Sequence, residues 1–280
     1  MKITKIFVSI FPFIFFIVIN VSAEQELFRQ KIDPKDLVEV FIDTHVPTSI
    51  MGRLSDATNV RILNLTDLPK EMKRNGPLNG FPLEAFSFNE VSVSSDNTKI
   101  AFVVKLSKVF HADSGGWVGV LDLENNIITE IGTVDIDYLR KLSISPLGKY
   151  LLSQYDYICY PFEHPYYPIY IVNIKERSLT GRISGDLLAK NGIEWNKWIK
   201  EEKAMVLPRN EEFKPHVHEY IKIRFVRWSD DEKSIYFELI KVKQEHQLVV
   251  GEHPLSEILS EDKLGTWSID LSGTNLRNEN

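Results

Sequence analysis

His216-Val217-His218 places two imidazoles at i and i+2, a spacing that puts both on one side of a β-strand. With a third ligand such a pair could hold zinc or copper. No third ligand can be picked out from the sequence, so no metal or other cofactor is expected. Cys159 and His164 stand five residues apart and suggest a thiol nucleophile with its base. A working dyad also needs an orienting group and an oxyanion pocket, and neither is visible. No G-x-S-x-G, phosphate loop, dinucleotide fingerprint or EF-hand pattern occurs. No residue is therefore assigned a catalytic role, and the chain is not expected to be an enzyme. Asn64-Leu65-Thr66 is an N-glycosylation sequon, relevant only in a eukaryotic host.

Aromatic residues are the stronger signal, and what they do is bind. Tyr155, Tyr157, Tyr160, Phe162, Tyr166 and Tyr167 fall within thirteen residues, interleaved with Pro161, Pro165 and Pro168. Tyrosine is amphipathic and has few torsions to freeze, which suits contact surfaces for protein or glycan. A second cluster, Ile193, Trp195, Trp198 and Ile199, recurs near a helical period behind Asp186, a candidate cap. It predicts a short helix whose Trp195 and Trp198 dock on the scaffold or meet a partner. Lys197, Lys200, Glu201, Glu202 and Lys203 form its solvated face.

The elements that must carry these groups repeat. Val91–Phe102 (VSVSSDNTKIAF), Leu142–Ser153 (LSISPLGKYLLS) and Phe225–Phe237 (FVRWSDDEKSIYF) align on Ser94, Ser145 and Ser229. Each is a short alternating strand, a tight polar turn and a second strand. Downstream lie Val118–Leu123 (VGVLDL), Ile169–Ile174 (IYIVNI) and Thr266–Leu271 (TWSIDL), each followed by another short turn. Ser94 to Asp122 and Ser145 to Asn173 are both 28 residues, and the two units are offset by 51. Each unit thus supplies four antiparallel strands, A to D. In the second they run over about Leu142–Ser145, Tyr150–Tyr155, Ile169–Ile174 and Leu179–Ile183. Such a repeated meander is the sequence form of a β-propeller blade.

SSDNTKIAF, SPLGKYLLS and SDDEKSIYF resemble the S-P-D-G-x-x-I-A-F blade motif of TolB-type and prolyl-oligopeptidase-type propellers, with the I-Y-x-x-D-L strand behind it. The likeness covers roughly 88–183 and 222–277. It implies an all-β propeller and, by analogy, protein contacts in the cell envelope; in departure from the peptidases, no G-x-S-x-G occurs, so no hydrolase domain is expected. Clear blades fall at 88–135, 139–183 and 222–277, with a helical insertion at 184–221 and a degenerate blade or closure strands at 30–70. There Val60–Asp67 resembles a C strand, with Asn64 in the place of Asp122 and Asn173, and Asp33–Phe41 supplies the A–B part. The expectation is about four blades in one domain, 24–280, closed or open. An N-terminal strand would fill the D place of the last blade and lock a ring.

Topology then sorts the loops. A–B and C–D turns share one rim and are short. B–C and D–A connections share the other and are long: Lys105–Trp117, Gln154–Pro168, Glu238–Gly265 and 184–221. The working surface is expected on this decorated rim. An alternative is an enzyme acting on a glycan, peptide or lactone in the axial funnel, drawing on Asp113, Asp156, Glu163, His216 and His218.

Residues 1–23 combine Lys2 and Lys5, an apolar run from Ile6 to Val21, and small residues at Val21-Ser22-Ala23, the pattern of a cleaved signal peptide. Cleavage would change the charge from −6 to 31 − 39 = −8, an acidic balance that argues against nucleic acid. No later run approaches membrane-spanning length. The expectation is a soluble, periplasmic or secreted protein without stable membrane insertion, binding a protein partner through Tyr155, Tyr157, Tyr160, Phe162, Tyr166, Tyr167, Trp195 and Trp198.

Overall fold

The computed structural model describes residues 32–69, 85–106, 115–135, 139–155, 169–194, 196–198, 216–247 and 255–279. They form four antiparallel sheets in chain order. The first holds β1 (Leu37–Ile42), β2 (Ser49–Leu54) and β3 (Asn59–Asn64). The second holds β4 (Phe86–Val93), β5 (Lys99–Leu106), β6 (Gly115–Asp122) and β7 (Ile127–Asp135). The third holds β8 (Leu139–Ile144), β9 (Tyr150–Tyr155), β10 (Ile169–Asn173) and β11 (Ser178–Ile183). The fourth holds β12 (Asn196–Trp198), β13 (His216–Trp228), β14 (Ser234–Gln247), β15 (Leu255–Asp270) and β16 (Arg277–Asn278).

The sheets stack face to face because the middle two are apolar on both sides. On β5, Ile100, Phe102 and Val104 pack toward the first sheet, while Ala101 and Val103 pack toward the third. On β9, Leu151 faces the second sheet and Leu152 the fourth. Strands buried on both faces lose polar alternation, which is why IAFVV, Ile100 to Val104, is a continuous apolar run. Phe102 stands edge-on to Phe88 at 5.6 Å and to Trp117 at 6.4 Å. Gly119 makes room for that ring, since a Cβ there would lie 2.5 Å from Phe102 Cζ.

The end sheets are different. On β14, Ile235, Phe237 and Leu239 point inward. The other face of the fourth sheet carries Glu238, paired with Arg224 and with Lys263 at 2.6 Å, and Arg227 stacked on Tyr236 at 3.9 Å. The first sheet sets Glu39 against Arg53 at 3.1 Å, both half exposed. Ion-paired outer faces end a stack as capping repeats do, so the arrangement is an open propeller of four blades.

One turn is built three times. Ser94, Ser145 and Ser229 are the A–B corner, with Oγ accepting from the N–H of Lys99, Tyr150 and Ser234. Three residues on, Asn97, Gly148 and Glu232 all adopt positive φ. Asn97 and Glu232 reach back to the preceding sheet: Asn97 Nδ2 donates to Leu37 O, and Leu147 N donates to Glu232 Oε1. The C–D turns repeat likewise, with Ala57, Asn126 and Arg177 at positive φ.

These contacts correct two expectations. The Ala57 turn lies beside Asp36 and Leu37, on the rim of the Asn97 turn, since Ser55 N donates to Asp36 O. It is therefore a C–D turn, so β2 takes the C place and β3 the D place, and Asn64 lies at the opposite rim from Asp122. The D place of the last blade is filled by β16, paired through Trp267↔Asn278 and Ser268↔Arg277, not by an N-terminal strand.

Inner strand edges are covered by side chains of the preceding blade. Leu142 N donates to Glu90 Oε1 and Ile144 N to Ser92 Oγ. Gln154, 4% exposed, donates to Ile223 O and accepts from Phe225 N, taking the place of a strand beside β13. Gln154→Ala strands two buried backbone groups, at about 1–3 kcal/mol each. We expect a loss of roughly 2–4 kcal/mol in urea unfolding; a loss below about 0.5 kcal/mol would show that water replaces the amide.

Candidate functional site

The rim opposite the serine turns carries the irregular features. β13, β14 and β15 run for 13, 14 and 16 residues, against 5 or 6 for β8 to β11. The excess projects past the blade at one end only, because the other end is pinned at Ser229 and Asp270. Pairing continues out to His216↔His246 and Gln247↔Leu255, and β12 adds Trp198↔His218. The expected long loop at 238–265 is thus largely a hairpin. IKVKQEHQ keeps a strand period, and Ile240, Val242 and Gln244 are buried on one side.

Tyr220, Ile240 and Val242 form a small cluster in this projection, where the Tyr220 hydroxyl donates to Gln244 Oε1 at 2.9 Å. Nearby, Lys241 pairs with Glu219 at 3.0 Å. β15 is bulged twice, between the Lys243 and Gln244 partners and between the Leu239 and Ile240 partners, leaving Leu259 and Leu264 outside the register. Residues 258–264 are exposed throughout, with Ile258 at 52%, Leu259 at 46% and Leu264 at 43%. An apolar group of that kind on an extended, projecting edge can contact a partner but offers no acid–base chemistry.

The expected binding residues separate. Tyr155 ends β9 in the core between the second and third sheets, 4% exposed and edge-on to Tyr170 at 5.6 Å. Burial pushes the Tyr170 hydroxyl above its ordinary pKa. Trp198 lies in β12, not on a helix. The helix α1 is Gly185–Lys190, so Ser184 rather than Asp186 stands at the N-cap position, without a side-chain capping hydrogen bond. It stops because Gly192 takes φ +76 and Gly192 N and Ile193 N return to Ala189 O and Leu188 O, a Schellman ending. Tyr157, Tyr160, Phe162, Tyr166, Tyr167 and Trp195 lie outside the described residues, as do Cys159, His164, Asp113, Asp156, Glu163 and the segment 1–23. Asn64 of the sequon caps a 3₁₀ turn, its Nδ2 donating to Ser49 Oγ at 2.8 Å.

Trp228 pairs with Ile235; beyond the register shift between Arg227 and Phe225, Phe225 pairs with Phe237, and that count carried outward sets His216 against His246. Among the described residues, no helix is long and apolar enough to cross a membrane.

Stacked antiparallel meanders of three to five strands, a serine corner repeated in three of them and polar end faces define an open β-propeller. No family model matches the chain, and no curated protein matches it. Solved structures are similar to it at low identity. TolB from Acinetobacter baumannii is 11% identical over 85% of this chain and 51% of that one, with a TM-score of 0.35. An oligogalacturonate lyase in complex with manganese is 9% identical over 83% and 59%, at 0.38. The β-propeller domain of the Trilobed protease from Pyrococcus furiosus, of open velcro topology, is 10% identical over 82% and 63%, at 0.33. In each case the match spans less than two thirds of the other chain.

Hydrogen bonds from Lys263 and then Arg224 hold the Glu238 carboxyl below its usual pKa. A depressed carboxyl stabilises the fold above its unfolded pKa of about 4.3, and that contribution is lost as pH falls through the lower folded value. Glu238→Gln should cost about 0.5–1 kcal/mol at pH 7. The difference from wild type should vanish on acidification, as read by thermal unfolding from pH 7 to 3. A difference constant with pH would mean that the ion pairs contribute nothing.

Proposed function

We propose that this protein is an exported binding scaffold whose decorated rim contacts a protein partner in the cell envelope or outside the cell. The observation that carries the reading is the one-sided projection of β13–β15, with Ile258, Leu259 and Leu264 exposed along its outer strand. The opposite rim is held to tight turns locked by Ser94, Ser145 and Ser229. A rigid stack with variation confined to one end suits recognition. In this reading Tyr157, Tyr160, Phe162, Tyr166 and Tyr167, in the segment that links β9 to β10 in sequence, also contribute to binding.

Capture from an envelope extract, with the chain lacking residues 1–23 as bait, tests the surface. Ile258→Ser/Leu259→Ser/Leu264→Ser should lower recovery of the captured protein at least tenfold. Leu147→Ser, on the serine-turn rim and 50% exposed, should leave it unchanged. Equal recovery by both variants would remove the rim from the reading. Export is tested separately by N-terminal sequencing of the protein expressed with residues 1–23. The expected first residue is Glu24, and a retained Met1 would overturn export by cleavage.

A further inference from the structure

We propose that the inner edge of the first blade is a strand-acceptor site, where an extended basic segment of a partner protein pairs with β1. One recurring hydrogen bond makes the blades equivalent. Ser55 N donates to Asp36 O as Leu123 N does to Thr98 O, Ile174 N to Lys149 O and Leu271 N to Lys233 O. β1 therefore stands in the B place, with β5, β9 and β14. Those three are paired on both sides, whereas β1 is paired only with β2. Among the described residues no strand fills the A place beside it.

Backbone geometry fixes what this edge offers. Asp43 N donates to Ser49 O, toward β2, and successive residues of a strand face alternate sides. The N–H and C=O of Val40 and Ile42 thus point toward the A place, while Leu37 O at the corner is taken by Asn97 Nδ2. A second row faces the same place from β4. In the third blade Leu142 N and Ile144 N, three and one residues before Ser145, are covered by Glu90 and Ser92 of the preceding A strand, at 2.7 and 3.0 Å. Val91 and Val93 stand at the same distances before Ser94, whose own N–H turns to Lys99 O. Both are half-buried and have no such cover among the described residues.

These requirements specify the occupant. A row of N–H and C=O groups is met by another strand, whose main chain gives affinity and whose alternate side chains give specificity. On the face toward β4 its side chains must accept hydrogen bonds, as Glu90 and Ser92 do. Residues 33–43 carry Asp33, Asp36, Glu39 and Asp43 against Lys35 and the Arg53 paired with Glu39, so the other face calls for basic side chains. The site does not depend on the projecting rim.

The test is binding of a fluorescent peptide of about nine residues, lysine alternating with threonine, to the chain lacking residues 1–23. Saturable binding of one peptide per chain is expected. A peptide of the same composition with its lysines in one block should bind roughly tenfold more weakly. Val40→Pro removes an edge N–H without touching the β2 ladder and should also weaken binding roughly tenfold. Leu179→Ser, on the exposed side of β11, should leave it within about threefold. No saturable binding, or equal binding of the blocked peptide, would overturn the proposal. Should Val40→Pro misfold, hydrogen exchange of the parent chain decides: the Val40 and Ile42 amides should slow when the alternating peptide is bound. Unchanged exchange there overturns the proposal. So does protection of both amides without peptide, whether removal of residues 24–31 abolishes it, as for an edge filled by the chain itself, or dilution does, as for a second copy.

Discussion

A four-stranded meander has two faces and can cover neither by itself. In this chain the second and third sheets are apolar on both sides, so each needs a neighbour in front and behind. The first and fourth are apolar on the inner side and carry ion pairs on the other, where the projecting end of the fourth also holds the small Tyr220, Ile240 and Val242 cluster. That inequality sets the number of blades and the openness of the stack. Closing it on itself would press Glu238, Arg224 and Lys263 into a dry interface, where removing charges from water costs more than their pairing returns.

Apolar contact alone would let one blade slide over the next. Direction and register come from polar groups at the two levels where the chain turns. Asn97 and Glu232 tie a corner to the blade before it, while Glu90, Ser92 and Gln154 satisfy the backbone of the blade after it. Every innermost strand has an edge that could pair with a stranger, and side chains of the adjacent blade close part of it. Glu90 bears the cost, since burial lifts its carboxyl above the ordinary pKa while Leu142 N–H and Lys141 act to lower it.

The repeated serine corner was legible because its chemistry is local. A hydroxyl, a tight turn and the alternation on either side identify β4–β5, β8–β9 and β13–β14 without any tertiary information. The first blade was misassigned because Arg53-Leu54 lacks the Asp or Asn that marks the other C strands, and the left-handed turn position is held by an alanine. Only the partnership of Ser55 with Asp36 reveals which rim it occupies. The helix ending at Lys190 could have been anticipated from Asn191-Gly192, a C-terminal stop signal that outranks the apolar spacing of Ile193, Trp195 and Trp198. The length of the β14–β15 hairpin was hidden by its lysines and glutamates, which resemble loop composition although their period is two. Tyr155 was grouped with its aromatic neighbours by proximity in sequence. Its position as the last residue of a two-sided strand puts it in the core instead.

The paired bulges on β15 bear on how well this edge could serve as a template for a second copy. A long, flat outer strand bearing Ile258, Leu259 and Leu264 would invite another copy to add on, strand to strand, and then another. Each bulge kinks the backbone and raises its twist, so the hydrogen-bonding groups from 258 to 264 no longer present an even row. Apolar side chains remain available while the template for fibril growth is spoiled. The projection can therefore be adhesive to a shape that fits its side chains and indifferent to a second edge of the same sequence.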